Sequence, residues 1–309
     1  MDSRQLRYFS AVYEHGSLSS AGEHMRIAVS ALSHHLSNLE AELSTALFFR
    51  KPRGMQPTAA GERLYTHAKS ILKAMAAAEK DIRESGGQIS GDVSVGMAYS
   101  AVKAIGVSLA QRVLADYPKL RLSLSESLSG STLMHLMTSE VDLALVYNPP
   151  TESRLKTQPI LEETMICIGK REIIGDTDEP IPFASLLELP IILLRQGLSA
   201  RALVDDVGLL KRLESKARLQ MNSVHAIADS LVAGLGCVIG TKLFMKEHIE
   251  SGALHFRPII EPELSRTLFI CEIADRTGTF AAEAVRAVIL DLVADAVIKG
   301  KWDATLSIP

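Results

Sequence analysis

The sequence has few cysteines and no long hydrophobic run. Its three cysteines, Cys167, Cys237 and Cys271, stand far apart, which argues against a metal-ligand pair and against a disulfide framework. We expect them to be buried thiols in a reducing cytoplasm, with redox sensing as the alternative. No segment is apolar for long enough to span a membrane, and the first residues lack the apolar core of a signal peptide. These absences predict a cytoplasmic protein with no membrane partner.

The sequence also lacks the short motifs of common enzyme classes. It has no phosphate-binding loop ending in Lys-Ser/Thr, no His-Glu-x-x-His, no Cys-x-x-Cys and no Gly-x-Ser-x-Gly. Gly234, Gly236 and Gly240 have the wrong spacing for a dinucleotide fingerprint and lead into a predicted strand instead of following one. We therefore expect no enzyme, no cofactor and no metal site. A solute-binding protein is the other alternative, but it would leave the N-terminal third unexplained.

Charge is distributed unevenly along the chain. Residues 1–87 hold 11 Lys and Arg against 9 Asp and Glu, whereas residues 88–309 hold 22 against 27. The length of 309 residues predicts two or three domains of ~100–200 residues each. A mildly basic N-terminal segment joined to an acidic remainder is typical of a small DNA-reading module attached to a second function.

Residues 18–43 predict two helices joined by a tight turn, preceded by a further helix over residues 3–15. In the second helix of the pair, leucines recur at spacings of four, three and four, which predicts one buried stripe at positions 32, 36, 39 and 43. Short side chains on the opposite face would allow the helix to approach base edges in a DNA major groove. An ordinary amphipathic helix pair is the alternative. The candidate DNA-reading residues are Ser30, Ser33, His34, Ser37 and Asn38.

A basic, turn-rich segment follows at residues 47–57. Its Pro and Gly residues rule out a continuous helix, and two apolar anchors precede it, which favours a β-wing over a solvated loop. Arg50, Lys51 and Arg53 would then reach phosphates or a narrow minor groove.

A long helix is predicted from Thr58, a candidate N-cap, to about Ser85. Its apolar residues alternate spacings of three and four, which is typical of a coiled-coil seam. Because nothing within one chain is expected to cover this stripe, we predict a dimer formed with a second chain. A glycine-rich break at residues 86–91 then marks a hinge and a domain boundary. The predicted seam residues are Gly61, Leu64, Ala68, Ile71, Met75, Ala78 and Ile82.

From residue 92 onward, short apolar strands alternate with amphipathic helices, which predicts an α/β region of mainly parallel sheets. Eight strands over this length favour two small sheets with a cleft between two lobes. Strands are predicted at 93–97, 120–125, 143–147, 165–169, 191–194, 219–221, 237–240 and 268–273. Helices are predicted near 102–115, 130–138, 199–213, 224–233 and 279–297.

Polar residues follow several of these predicted strands, at the ends where ligands sit in such folds. Ser100, Ser129, Tyr147 and Arg195 would converge on the cleft and suit a small carboxylate. In the alternative interpretation, the two serines cap helices and Arg195 is solvated.

The chain resembles the LysR-type transcriptional regulators in motifs that are densest over residues 4–65. Weaker matches follow at Asn222-Ser223-Val224 and at 234–238, and residues 65–69 are similar to the nitrogen assimilation control protein branch of that family. The N-terminal motifs are Leu6-Arg7-Tyr8-Phe9, Gly16-Ser17-Leu18, Ala21, Ala31-Leu32-Ser33, Leu39-Glu40, Glu42-Leu43, Leu47-Phe48, Arg50, Arg53-Gly54 and Thr58-Ala59-Ala60-Gly61.

The resemblance implies a winged helix-turn-helix over residues 1–58, a dimerising linker helix over 59–88 and an effector domain over 89–309 like a periplasmic solute-binding protein. Lobe I would comprise 89–162 and 267–309, and lobe II 163–266. The implied partners are double-stranded promoter DNA, a small effector, further copies of the chain in a homotetramer, and RNA polymerase.

By position, the resemblance assigns base contacts to Ser33 and His34 and a wing contact to Arg53. It assigns effector contacts to Ser100 and Ser129, and less securely to Tyr147 and Arg195. Two residues depart from the family pattern, since Val29 stands where glutamine is usual and His34 where arginine is common. Both changes remove donors suited to purine edges.

Overall fold

The chain folds as two units, Met1–Gly86 and Gly87–Pro309. The structure is a computed structural model that describes residues 1–52, 54–83, 89–194, 206–275 and 278–307. No helix in these ranges is both long enough and apolar enough to cross a membrane.

The first unit packs three helices, a two-stranded hairpin and the start of a long helix around one apolar core. Phe9, Ala21 and Leu32 are fully buried there, and the predicted leucine stripe holds as far as Leu39. The prediction was wrong for Leu43, which is 38% exposed because the helix ends one residue before it. The elements are α1 Ser3–His15, α2 Leu18–Met25, α3 Val29–Glu42, β1 Phe48–Lys51, β2 Gly54–Pro57 and α4 Ala59–Arg83.

The helix starts of this unit follow local capping chemistry. Asp2 forms a capping box with Gln5, in which each side chain accepts a hydrogen bond from the other residue's backbone N–H. Ser17 caps α2 by accepting from the backbone N–H of Ser20. Thr58, predicted as the N-cap of the long helix, accepts from the backbone N–H of Gly61.

Part of the apolar stripe of the long helix α4 is buried against other residues of the same chain. Ala68 is fully buried against the core of the first unit, and Leu64 and Leu72 pack beside it. The expectation that one chain offers this stripe nothing to pack against was therefore wrong for the N-terminal half of the helix. Two other residues of the predicted seam, Ile71 and Met75, are 38% and 39% exposed. The predicted end near residue 85 lies outside the described residues.

The described part of the second unit contains a six-stranded sheet, a four-stranded sheet and one further parallel pair of strands. The strands are β3 Ser90–Met97, β4 Lys119–Glu126, β5 Leu143–Tyr147, β6 Leu155–Thr164, β7 Ile166–Gly169, β8 Ile181–Pro182, β9 Ile192–Leu194, β10 Leu219–Met221, β11 Cys237–Gly240, β12 His255–Ile260, β13 Ser265–Ile273 and β14 Thr305–Leu306. The six-stranded sheet has the order β14-β6-β13-β5-β3-β4, the four-stranded sheet has the order β11-β7-β12-β8, and β9 pairs with β10.

Helices cover these sheets, and a short π-helical turn, Val102–Gly106, lies between the helices Tyr99–Ala101 and Val107–Asp116. The last helix packs its apolar face on the core of the six-stranded sheet. The described helices are α5 Tyr99–Ala101, α6 Val107–Asp116, α7 Ser129–Met137, α8 Arg171–Ile174, α9 Phe183–Leu186, α10 Val207–Lys216, α11 Val224–Val232, α12 Lys246–Glu250 and α13 Phe280–Ile298.

The prediction of mainly parallel sheets was wrong. β3 is parallel to β4 and β5, but β13 is antiparallel to both β5 and β6, and β7 is antiparallel to β11 and β12. Strands β6 and β12 were not predicted, because polar residues interrupt their apolar pattern. The chain passes from the larger to the smaller sheet between β6 and β7, and returns between β12 and β13. This pair of crossings produces two lobes.

Candidate functional site

The polar face predicted for the second helix of the pair is open to solvent on α3. Ser30, His34, Ser37 and Asn38 are exposed, and Ser33 is half-buried. The side chains of His34 and Asn38 meet at 3.1 Å between Nε2 and Nδ2, so they form one polar pair one helical turn apart. The described side chains on this face therefore present donors and acceptors of the kind that read base edges.

The predicted wing exists as the hairpin β1–β2, and it lies beside this helix face. Arg50 and Lys51 are exposed on its first strand. The guanidinium of Arg50 donates to Ser37 Oγ at 3.4 Å, so the wing cation and the helix face form one surface. Arg53 lies outside the described residues.

Two contacts that were not predicted from the sequence hold the wing in place, one through Glu40 and one through Gly16. The carboxylate of Glu40, on α3, accepts from the backbone N–H groups of Leu47 and Phe48 at 2.7 and 3.2 Å. At the far side, Met55 N–H donates to the carbonyl of Gly16 at 2.7 Å. Glu40 was visible in the sequence as part of the family motif, but its partners depend on the tertiary fold.

Three of the predicted effector residues, Ser100, Ser129 and Tyr147, are buried at the carboxyl end of the six-stranded sheet. Ser129 Oγ accepts from the backbone N–H of Tyr147 at 3.2 Å. Neither serine caps a helix, because the N-cap positions are Ala98 and Leu128. The helix-cap interpretation of the two serines was therefore wrong.

The cation at this site is Arg266, which the sequence did not reveal. Its Nη2 donates to Ser100 Oγ at 3.0 Å, and its guanidinium carbon lies 3.6 Å from the centre of the Tyr147 ring. Arg266 is 8% exposed and sits in the second position of β13. Arg266 was not among the predicted site residues, because burial is decided by the tertiary fold. Arg195, predicted for this role, lies outside the described residues.

Arg266 is neutralised by a fully buried carboxylate, Glu163. Nε and Nη2 of Arg266 lie 2.9 and 2.8 Å from Glu163 Oε2, and Trp302 Nε1 donates to Oε1 at 2.8 Å. Burial disfavours the charge of Arg266, but the carboxylate of Glu163 outweighs that effect and raises the pKa of the guanidinium. Glu163 lies near the end of β6 and Arg266 near the start of β13, where the chain passes between the lobes. The two residues are opposite each other in the sheet, so the ion pair joins these two strands beside the site.

The phenol of Tyr147 is the unsatisfied group of the cluster. Its OH is buried and makes no hydrogen bond within the described part of the chain, although Ser100 and Glu163 lie close enough to influence its pKa. Burial raises the pKa of Tyr147 well above its ordinary value, so the phenol is neutral and holds a proton to donate. An acceptor atom on a ligand would satisfy it.

The three cysteines are free and buried. Burial raises the pKa of Cys271 to about 12. Cys237, adjacent to Cys167, together with burial, raises the pKa of the Cys167 thiol well above its usual range. Thiols of this kind carry little thiolate near neutral pH, and the environment is the opposite of that of a reactive cysteine.

Family comparisons cover both units. Residues 3–62 match the bacterial regulatory helix-turn-helix protein, lysR family, and residues 86–294 match the LysR substrate binding domain. The nitrogen assimilation regulatory protein nac of Klebsiella aerogenes is 30% identical over 295 residues, covering 95% of each chain. The nac protein of Escherichia coli K12 is 28% identical, covering 98% of this chain and 99% of its own.

Solved structures share the fold over nearly the whole chain. A cysteine-to-aspartate variant of full-length OxyR from Pseudomonas aeruginosa has a TM-score of 0.70 at 20% identity, covering 95% of this chain and 94% of its own. Full-length CbnR in complex with its target DNA has a TM-score of 0.61 at 19% identity, covering 96% and 100%. With both family matches and a relative at 30% identity, this chain belongs to the LysR-type transcriptional regulators and is a DNA-binding regulator with an effector-binding domain.

Proposed function

We propose that α3 reads promoter bases and that the wing contacts the DNA backbone. The observation that carries this proposal is the Arg50–Ser37 contact, which joins the wing and the helix face into one DNA-facing surface. The proposed base-reading residues are Ser30, Ser33, His34, Ser37 and Asn38, and the proposed wing contacts are Arg50, Lys51 and, from the sequence, Arg53.

Departures from the family pattern change the chemistry of this surface. Val29 is 43% exposed at the first position of α3, where an apolar side chain suits the methyl group of thymine. His34 and Asn38 together supply donors and acceptors in place of an arginine. We infer that this regulator reads a different base pattern from relatives that carry glutamine and arginine at these positions.

Replacing Ser33 or His34 with alanine is expected to cost ~1–3 kcal/mol of binding at the cognate promoter, because each change removes groups that face base edges. The measurement is fluorescence anisotropy at fixed salt on the cognate site and on random duplex. His67→Ala is the matched control, since His67 is an exposed histidine on α4 and not on α3. An equal loss of affinity on random DNA would refute base reading.

We further propose that the cluster of Ser100, Ser129 and Tyr147, with Arg266, binds a small anionic effector. The support is the unsatisfied phenol of Tyr147 beside the hydroxyl of Ser100. Because Glu163 balances the charge of Arg266, hydrogen bonds from neutral donors would hold the anion more than net charge would. Arg195 stays in this proposal from the sequence alone.

Ser100→Val is expected to abolish most of the effector response while leaving DNA affinity unchanged, because it removes a hydroxyl at the effector cluster and nothing in the first unit. Reporter transcription with and without effector gives the first quantity, and anisotropy gives the second. Ser123→Val, at an exposed position of β4, is the control. A full response in Ser100→Val would show that this hydroxyl serves the fold alone.

We also propose that the chain is a cytoplasmic homotetramer built from dimers that pair through α4, and that it contacts RNA polymerase. The proposed divisions are residues 1–58, 59–88 and 89–309, with lobe II at 163–266. Exposed Ile71 and Met75 support pairing, because apolar residues at coiled-coil spacing gain burial from a second helix. Light scattering tests the assembly, and a monomer mass at micromolar concentration would reject it.

A further inference from the structure

A cavity of about 380 Å³ lies at the edge of the six-stranded sheet opposite the effector cluster. Its volume falls in the range of ~300–1,000 Å³ that is usual for ligand pockets. Asp142 precedes β5 and lines the cavity, whereas Tyr147 ends that strand. The two places are therefore roughly 16 Å apart, at ~3.3 Å per residue. The charged lining residues are Asp142, Lys156, Glu272, Glu283 and Arg286.

The two cations of this cavity are loosely paired. Glu272 Oε2 lies 3.8 Å from Lys156 Nζ and 3.8 Å from Arg286 Nε, which is beyond hydrogen-bond distance. One amino group of the Arg286 guanidinium donates to Gln158, but its buried Nε–H makes no hydrogen bond within the described residues. A ligand carboxylate beside Lys156 and the Arg286 guanidinium would be attracted to both charges.

The carboxylates of the cavity disfavour a ligand that is only an anion. Three acidic side chains and two basic ones line it. Glu283 is exposed in the first turn of the last helix and is free to turn toward a ligand, whereas Asp142 already accepts from the backbone N–H and hydroxyl of Ser94 at 3.0 and 2.7 Å. A positive group on the ligand would be attracted to this side of the cavity.

We propose that this cavity binds a small zwitterion, namely a free α-amino acid. Its carboxylate lies between Lys156 and Arg286, and its ammonium group faces Glu283. Ala274 and Ala282 leave room for a short side chain. The site is separate from the effector cluster and would give the regulator a second small-molecule input.

Calorimetric titration of the full-length protein with L-alanine and L-glutamine tests the proposal. Propionate and ethylamine serve as probes that carry only one of the two charged groups. At least one amino acid is expected to bind, and propionate and ethylamine to bind at least about tenfold more weakly, because each loses one charged contact. Absence of binding by both amino acids, or equal binding by propionate, would overturn it.

Two substitutions locate the binding. Lys156→Gln and Arg286→Gln are each expected to weaken amino-acid binding by about tenfold. Lys156 is 71% exposed, so its replacement leaves the fold intact even if Arg286→Gln unfolds the domain. Lys216→Gln is the control, because Lys216 is a half-exposed cation paired with Glu188 outside the cavity.

Ser100→Val separates this site from the effector cluster. Amino-acid binding is expected to survive Ser100→Val and to weaken in Lys156→Gln. The reverse result would place the amino acid in the effector cluster, and would overturn the second site while leaving the proposed effector function standing.

Discussion

Arg266→Met is expected to destabilise the effector domain by about 3–5 kcal/mol, because it leaves the carboxylate of Glu163 buried without its cation. Glu163 is fully buried, and its other side-chain partner among the described residues is the indole N–H of Trp302. Methionine fills a similar volume, so most of the lost stability would come from the unpaired charge and little from a cavity. Urea unfolding followed by circular dichroism measures the change.

Two further variants isolate the ion pair. Arg266→Lys keeps the charge but loses the fork that reaches Glu163 and Ser100 and the stacking on Tyr147, so we expect an intermediate loss. The double variant Glu163→Gln with Arg266→Met removes both charges and is expected to recover much of the stability. A loss below about 1 kcal/mol in Arg266→Met would mean that Glu163 does not depend on this cation.

Gly54→Ala is expected to displace the wing and to destabilise the first unit by about 3 kcal/mol, since backbone strain and overpacking each cost ~1–3 kcal/mol. Gly54 has φ +132°, and a Cβ there would lie 2.3 Å from the carbonyl oxygen of Gly16. The substitution would also break the hydrogen bond from Met55 N–H to that oxygen. Promoter affinity should fall because Arg50 moves away from Ser37.

Gly16→Ala is the matched control for this substitution. Gly16 has φ +66° with no atom within 4 Å of a Cβ, so alanine there meets strain without a clash and costs ~1–2 kcal/mol. Thermal unfolding and DNA anisotropy distinguish the two variants. Equal effects on stability and on DNA binding would show that the close approach of the wing to Gly16 is unimportant.

Local patterns were enough to locate the N-terminal elements. The helix over residues 3–15, the buried Leu32, Leu36 and Leu39, and the N-cap at Thr58 are confirmed. Helix periodicity and capping are decided by residues within one or two turns, so they can be recognised in a sequence. The exposure of Leu43 could not be recognised in the sequence, because it depends on where the helix ends.

Strand direction and the cation of the effector cluster depended on distant residues. Apolar runs marked β5 and β11 with correct bounds, but nothing in a run reveals whether its neighbours are parallel, because those neighbours come from elsewhere in the chain. For the same reason Arg266 was not predicted, because its partner Glu163 lies 103 positions away and Ser100 lies 166.

The sequence by itself determined the family, the helix-turn-helix with its polar face, the basic wing and the positions of Ser100, Ser129 and Tyr147 at strand ends. Only the tertiary structure decided that a buried arginine joins those three residues, that Glu40 and Gly16 hold the wing, and that the core of the first unit buries part of the apolar stripe of α4. The physical reason is how far apart along the chain the interacting residues lie. Periodicity, capping and turn chemistry act between near neighbours, whereas burial and charge pairing are decided by residues that meet only after the chain has folded.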